Sequence, residues 1–268
     1  MRSIRAFILP IGLISLLAVM AAFKNLPGKR AMKNWQTAEN SKGFAVVELF
    51  TSEGCSSCPP ADELIDRIQK ENNNGQIYIM AFHVDYWDRL GWKDRFSDPE
   101  FSNRQRQYAN WLNLQTVYTP QIVVNGVKEY VGSDRGAVLG AISTGLDQEP
   151  VATLTLNSRI EGRKLTIEYE GAGEVKRSEL VLALIQRSAQ SSVKAGENAG
   201  KNLSHVQIVR RTLHVPIGIN GKKSITMDLP GDFDQKGWEL IGFVQHKTDG
   251  HIIAAQRFDF QSGPSGNK

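Results

Sequence analysis

Phe44-Ala45-Val46-Val47-Glu48-Leu49-Phe50-Thr51-Ser52-Glu53-Gly54-Cys55-Ser56-Ser57-Cys58-Pro59-Pro60 carries the information that decides the fold. Residues 44–51 are rich in β-branched and aromatic types and predict a buried strand. Pro59 and Pro60 fit only at a helix start, where a missing N–H costs nothing. Leu64, Ile65 and Ile68 then continue an apolar stripe at helical spacing. Between strand and helix stand both cysteines of the 268-residue chain. A strand that delivers C-x-x-C to a helix N-terminus makes a reactive thiol, because free N–H groups and the helix dipole favour the thiolate. Cys58, one turn after Cys55, is placed to close a disulfide on it.

Downstream, 76–84 predicts a second strand and Asn72-Asn73-Asn74-Gly75 the end of the first helix. Residues 85–96 are aromatic, charged and irregular, and Ser97-Asp98-Pro99-Glu100 opens another helix reaching 112 or 114. Asn125-Gly126 predicts a hairpin between 121–124 and 127–131, and Ser133-Asp134 caps a helix through 146. Gln148-Glu149-Pro150 marks a change of pattern. Seven segments of alternating polarity follow, at 152–156, 164–169, 180–186, 208–215, 224–229, 239–246 and 252–260, which argue for a β-sandwich over 150–262. Residues 263–268 form a polar tail.

At the other end, Met1-Arg2-Ser3-Ile4-Arg5 precedes an apolar stretch from Ala6 to Phe23, and no acidic residue occurs before Glu39. Residues 1–23 are expected to be a secretory signal or a retained membrane anchor, with 24–43 a linker. Without Arg2 and Arg5 the formal charge of +4 falls to about +2. No basic block points to nucleic acid, and a membrane contact is expected only if the N-terminal segment is retained. The chain is expected to be exported, as a periplasmic or secreted protein. There, a bridge over so short a span removes little entropy from the unfolded chain and stabilises weakly. Redox exchange, a metal site and an inert crosslink remain the three readings of the pair.

The strand, the C-x-x-C at a helix start, the second strand and Thr119-Pro120 ahead of a hairpin and helix resemble the thioredoxin fold. The resemblance covers 44–147, with 85–114 as a helical insertion, and implies a cis bond before Pro120, facing the disulfide. More narrowly, 48–62, His83-Val84-Asp85-Tyr86-Trp87-Asp88, Gly91-Trp92-Lys93-Asp94, Tyr118-Thr119-Pro120-Gln121 and Gly196-Glu197-Asn198-Ala199-Gly200-Lys201-Asn202-Leu203 resemble a family of secreted bacterial proteins called domain of unknown function 1223. The chain departs from ordinary thioredoxins: Glu53-Gly54 replaces a tryptophan before the first cysteine, and Ser56-Ser57 stands between the cysteines instead of Gly-Pro.

These residues set the expectations for the site. Cys55 sits at the exposed end of the helix as the attacking thiolate, with Cys58 buried behind it as the resolving thiol. Glu53 either raises the pKa of Cys55, passes protons as a buried acid does in thioredoxins, or is a solvated loop residue. His83 and Asp85 alternate along a strand and would share a face. His83 gives acid–base support, is a hydrogen-bonded structural residue, or binds a metal with Cys55 and Cys58. The aromatic residues of the insertion line a substrate groove or pack it onto the sheet. The loop at 196–203, followed by His205, docks on the first half, recognises a partner, or is a plain turn.

The function these residues point to is thiol–disulfide exchange by Cys55 and Cys58, shaped by Pro120, with Glu53 and His83 as helpers. A protein or a small thiol or disulfide is the substrate. No bound cofactor is needed, since the cysteine pair carries the electrons. A copper carrier using Cys55, Cys58 and His83, or a binding protein with a non-catalytic thioredoxin fold, are the alternatives.

Overall fold

The strand expected at 44–51 is β1 (Ala45–Thr51), buried at every position. In the computed structural model, which describes residues 43–72, 75–217 and 221–262, it has neighbours on both edges. β2 (Ile77–His83) runs parallel to it and β3 (Gln121–Val124) antiparallel. A strand enclosed on both edges and both faces has no solvent side, which is why its sequence is apolar on both faces apart from Glu48 and Thr51. The signal or anchor at 1–23, the linker to residue 42 and the tail at 263–268 lie outside the described residues.

α1 (Pro59–Glu71) makes the crossover from β1 to β2, with its prolines in the first turn. Its Leu64, Ile65 and Ile68 pack with Val138, Leu139 and Ile142 of α3 (Arg135–Leu146) on one face of the sheet. On the other face lies α2 (Pro99–Trp111), capped by Asp98, whose side chain accepts from the Glu100 N–H at 2.8 Å. Phe101 and Tyr108 of α2 are buried there with Phe50 and Phe82. These two aromatic residues of the insertion are core packing, not the lining of a groove. β3 turns into β4 (Lys128–Val131) through Asn125-Gly126, both with positive φ.

The second half contributes β5 (Ala152–Glu161), β6 (Lys164–Gly173), β7 (Ser178–Ser192), β8 (Asn202–Pro216), β9 (Lys223–Asp228), β10 (Trp238–His246) and β11 (Ile252–Asp259). β5, β6 and β9 form a three-stranded sheet. The others join the first half in one mixed eight-stranded sheet of order β11-β10-β7-β8-β2-β1-β3-β4. Among the described residues the molecule is therefore mostly β-sheet with few helices. The expected sandwich over 150–262 does not stand apart. β8 lies along the open edge of β2 and pairs with it in parallel at Ala81 and Ile208, so the edge of the first half is covered by the second. β7 is buried on both faces: Leu180, Leu182 and Leu184 face the small sheet, while Val181, Ala183 and Ile185 join Phe50 and Phe82.

Polar contacts lock the halves together. Arg104 of α2 donates to Glu48 of β1 at 2.9 Å and to Gln245 of β10 at 3.2 Å. Tyr108 donates its hydroxyl to Glu48 and accepts from Gln245 at 2.8 Å. Arg257 of β11 donates to the Ile77 carbonyl at 3.0 Å. The Ile252 N–H donates to the Asn125 carbonyl at 2.9 Å, seating one hairpin turn on the other. No helix among the described residues is long and apolar enough to cross a membrane.

Candidate functional site

Cys55 and Cys58 form a disulfide immediately before α1, with Cys58 as the N-cap residue. Both residues are fully buried. This corrects the expectation that Cys55 is exposed. The helix N-terminus does end at the surface, where Ser56 and Ser57 are exposed, but a loop from the second half lies over it. Between β7 and β8, the fully buried Asn198 donates through Nδ2 to the carbonyls of Glu53 and Cys55, both at 2.9 Å. Glu197 accepts the Ser56 N–H at 3.0 Å. Of the three readings of the 196–203 segment, the geometry is the docked one.

The remaining wall comes from the first half. Ser57 Oγ lies 3.4 Å from Cys55 Sγ and 3.5 Å from the Thr119 carbonyl oxygen. The Thr119–Pro120 peptide bond is cis, and β3 begins directly after it. Trp87 Nε1 donates to Thr119 Oγ1 at 2.8 Å.

Beside the disulfide is a cluster of buried ionisable groups. Glu53 is fully buried, not a solvated loop residue. Its Oε2 accepts from Trp92 Nε1 at 2.6 Å, and its Oε1 is 3.6 Å from Nε2 of His205 on β8. His205 Nδ1 is 3.8 Å from Oδ1 of Asp62, one helical turn beyond Cys58. Both separations exceed hydrogen-bond length, so charge attraction rather than a directed bond holds the group together. His83 Nδ1 is bonded to Asp94 Oδ2 at 2.7 Å, and that same oxygen accepts the Glu53 N–H at 2.9 Å. The His83 and His205 rings meet edge to face at 4.9 Å. His83 and Asp85 do not act together: the chain turns after His83, and the Asp85 carboxylate is taken by the Ser102 hydroxyl.

The charges follow from these contacts. Burial alone would push His205 toward the neutral form, but Asp62 and Glu53, with Asp94 behind them, outweigh it and raise its pKa to about 9. Burial and the Asp94 charge work against ionised Glu53, yet His205 and Trp92 hold its carboxyl below the ordinary range. Burial likewise opposes Asp94, and the His83 ring with the N–H groups of Glu53 and Phe96 keeps it low. Asp62 and His205, themselves buried, also line the floor of a surface groove of about 580 Å³ with Asp66, Lys70, Ser188 and Ser204, so the cluster lies just beneath the surface there.

Among the described residues, no three His, Cys, Asp or Glu side chains are grouped to hold a metal ion. His83, the expected third ligand, points a ring nitrogen at Asp94 instead. His205, Asp62, Asp94 and Asn198 were not expected in the site. For Asp62 a signal exists, since its spacing from Cys58 puts both on one helix face. His205 has no local signal, because β8 pairing alone brings it there, and Asn198 lies in the 196–203 segment whose docking is one of three readings.

The profile of a family described as "Protein of unknown function (DUF1223)" matches residues 46–245. No curated protein matches the chain. Among solved structures, protein AGR_C_4864 from Agrobacterium tumefaciens is 26% identical, with 84% of this chain and 96% of that one covered and a TM-score of 0.62. HBP35 of Porphyromonas gingivalis is 18% identical, with 85% and 78% covered and a TM-score of 0.65, a likeness of fold alone.

Proposed function

The chain belongs to the family of unknown function DUF1223, and from that premise we propose that it is an exported thiol–disulfide oxidoreductase whose first half is a thioredoxin-like unit. The order β1–α1–β2, then β3–β4–α3, with the cysteine pair at the start of α1 and Pro120 at the start of β3, supports the fold reading. The observation that carries the chemistry is a disulfide at a helix N-terminus beside a buried acid–base cluster, Glu53–His205–Asp62.

The exchange has a balanced form. A substrate thiolate attacks Cys55 Sγ, the Cys55–Cys58 bond breaks, and Cys58 leaves as a thiolate that takes up a proton. A second substrate thiolate attacks the substrate sulfur of the mixed disulfide, releasing a substrate disulfide and the Cys55 thiolate. Two electrons pass from the substrate thiols to the cysteine pair, and the reverse sequence oxidises the pair. Helix N–H groups stabilise thiolate at Cys55. Protonated His205 is the cationic member of the cluster, and its groove gives protons a way out. The substrate is a protein thiol or a small thiol.

Cys58→Ser tests the reading. With the resolving thiol gone, mixed disulfides on Cys55 accumulate and are isolated from cells expressing the variant. Cys55→Ser accumulates none. Equal trapping by both variants, or by neither, removes the proposal.

A further inference from the structure

We propose that the segment 193–201, between β7 and β8, is a lid that closes over the Cys55–Cys58 disulfide, with Asn198 as its latch and Glu197 as a weaker second fastening. The inference rests on the exchange reading above and concerns how the pair is reached.

The segment is hinged at its base by two backbone bonds, Val193 N–H to the Lys201 carbonyl at 2.9 Å and Gly200 N–H to the Val193 carbonyl at 2.8 Å. Gly196 and Gly200, both with positive φ, bracket the three residues from which Glu197 and Asn198 reach the backbone of residues 53–56. Across 194–202 the one buried residue is Asn198. Its two ends are committed to different tasks: Oδ1 accepts from Lys201 Nζ at 2.9 Å within the lid, and Nδ2 holds the carbonyls of Glu53 and Cys55 below.

This composition fits an element built to lift. Opening leaves the core covered, since the buried Val193 stays at the hinge and no apolar side chain of 194–201 is buried. The fastenings are hydrogen bonds, which water replaces at small net cost. Segments with few buried apolar contacts are those that open locally without global unfolding. The grip also falls on the reacting residue, because one Asn198 bond ends on the Cys55 carbonyl and the Glu197 bond on the N–H of Ser56. While the lid is down, both cysteines are fully buried and an attacking thiolate has no line to Cys55 Sγ.

The test is the rate at which dithiothreitol, oxidised to its cyclic disulfide, reduces the pair to two thiols, followed by quenched alkylation and mass measurement. Wild type is compared with Asn198→Ala and Glu197→Gln. Asn198→Ala is expected to react at least about ten-fold faster, and Glu197→Gln to show a smaller gain. Hydrogen exchange guards against misfolding: in both variants the Ser56 amide exchanges faster while the amides of β1 keep wild-type protection. Equal reduction rates in all three proteins overturn the lid, as does acceleration accompanied by loss of protection in β1. Reduction by a chemical reagent needs no natural substrate. Failure of the Cys58→Ser trap with a faster Asn198→Ala therefore removes the exchange reading and leaves the lid, and the opposite pair of results does the reverse.

Discussion

Nε2 of His205 stands 3.6 Å from Oε1 of Glu53, with both side chains sealed from solvent. One residue belongs to a strand of the second half and the other to the loop that leads into Cys55. The contact makes the second half part of the surroundings of the cysteines. A buried carboxylate beside a buried neutral imidazole would carry a desolvation cost with little return, whereas the ion pair recovers part of it.

His205, kept protonated against burial by Asp62 and then Glu53, sets a stability limit at high pH. His205 has a pKa of about 9 in the folded protein against a reference value of 6.5. The folded state holds the proton more tightly, so this contribution is complete below pH 6.5 and is lost as pH rises through 9. Its size is on the order of 3 kcal/mol. Urea unfolding of wild type from pH 6 to 10 is expected to show the fall, and the difference between wild type and His205→Gln isolates it from lysine and tyrosine titrations. A difference that stays constant with pH refutes the assignment.

Acid acts on the other partners. Glu53 and Asp94 both have lowered pKa values, so their contribution is present above their reference values of 4.5 and 3.8 and fades as pH falls through the depressed ones. Asp94→Asn leaves the His83 ring and the Glu53 N–H without a charged acceptor, at a cost of about 3–5 kcal/mol near neutrality. Circular dichroism during acid titration is expected to show a gentler loss in Asp94→Asn than in wild type. An equally steep loss would mean that the acid limb comes from elsewhere.

The parts legible in the sequence are those that depend on neighbours in the chain. The apolar run of β1, the paired prolines of α1, Asp98 and Asp134 as caps, and the Asn125-Gly126 turn each act within a few residues. Strand pairing does not. The alternation of β8 is the same whether it closes a separate sandwich or covers the edge of β2, and only the three-dimensional arrangement chooses the second. The site divides the same way. Cys55, Cys58 and Glu53 are visible as a local motif, and Asp62 lies within reach of the same argument. Cys55 is buried in a fold where Asn198, arriving from beyond β7, bonds its carbonyl, so a helix N-terminus by itself suggests an exposure that the fold does not permit.

Gly250 should not accept a side chain. It has φ +79°, and a Cβ there would lie 2.5 Å from Cε3 of Trp111. Gly250→Ala is expected to cost about 2–4 kcal/mol, combining left-handed strain with overpacking against a ring that is itself held by the Lys247 carbonyl. Gly162 is the control, with φ +62° and open space around the added carbon, so Gly162→Ala carries the backbone cost alone, about 1–2 kcal/mol. Urea denaturation of the two variants measures the gap. Equal losses would mean that the hairpin turn yields freely around Trp111.

Removing the disulfide separates a chemical role from a structural one. The bridge closes a loop of sequence separation 3, and the chain-entropy relation allows so short a loop at most about 2 kcal/mol. The contacts that hold the lid end on backbone groups of Glu53, Cys55 and Ser56, so they survive replacement of the sulfurs. Cys55→Ala/Cys58→Ala is therefore expected to stay folded, to lose no more than about 2–3 kcal/mol in urea, and to keep the Ser56 amide protected from hydrogen exchange. A crosslink retained for stability would behave differently. Its loss would cost well over about 4 kcal/mol and release the protection of β1, because the strand and α1 would then depend on the bond for their alignment. The burial of β1 and the packing of Leu64, Ile65 and Ile68 make that alignment independent of the sulfurs, so the fold does not need the bond to hold the strand and α1 together.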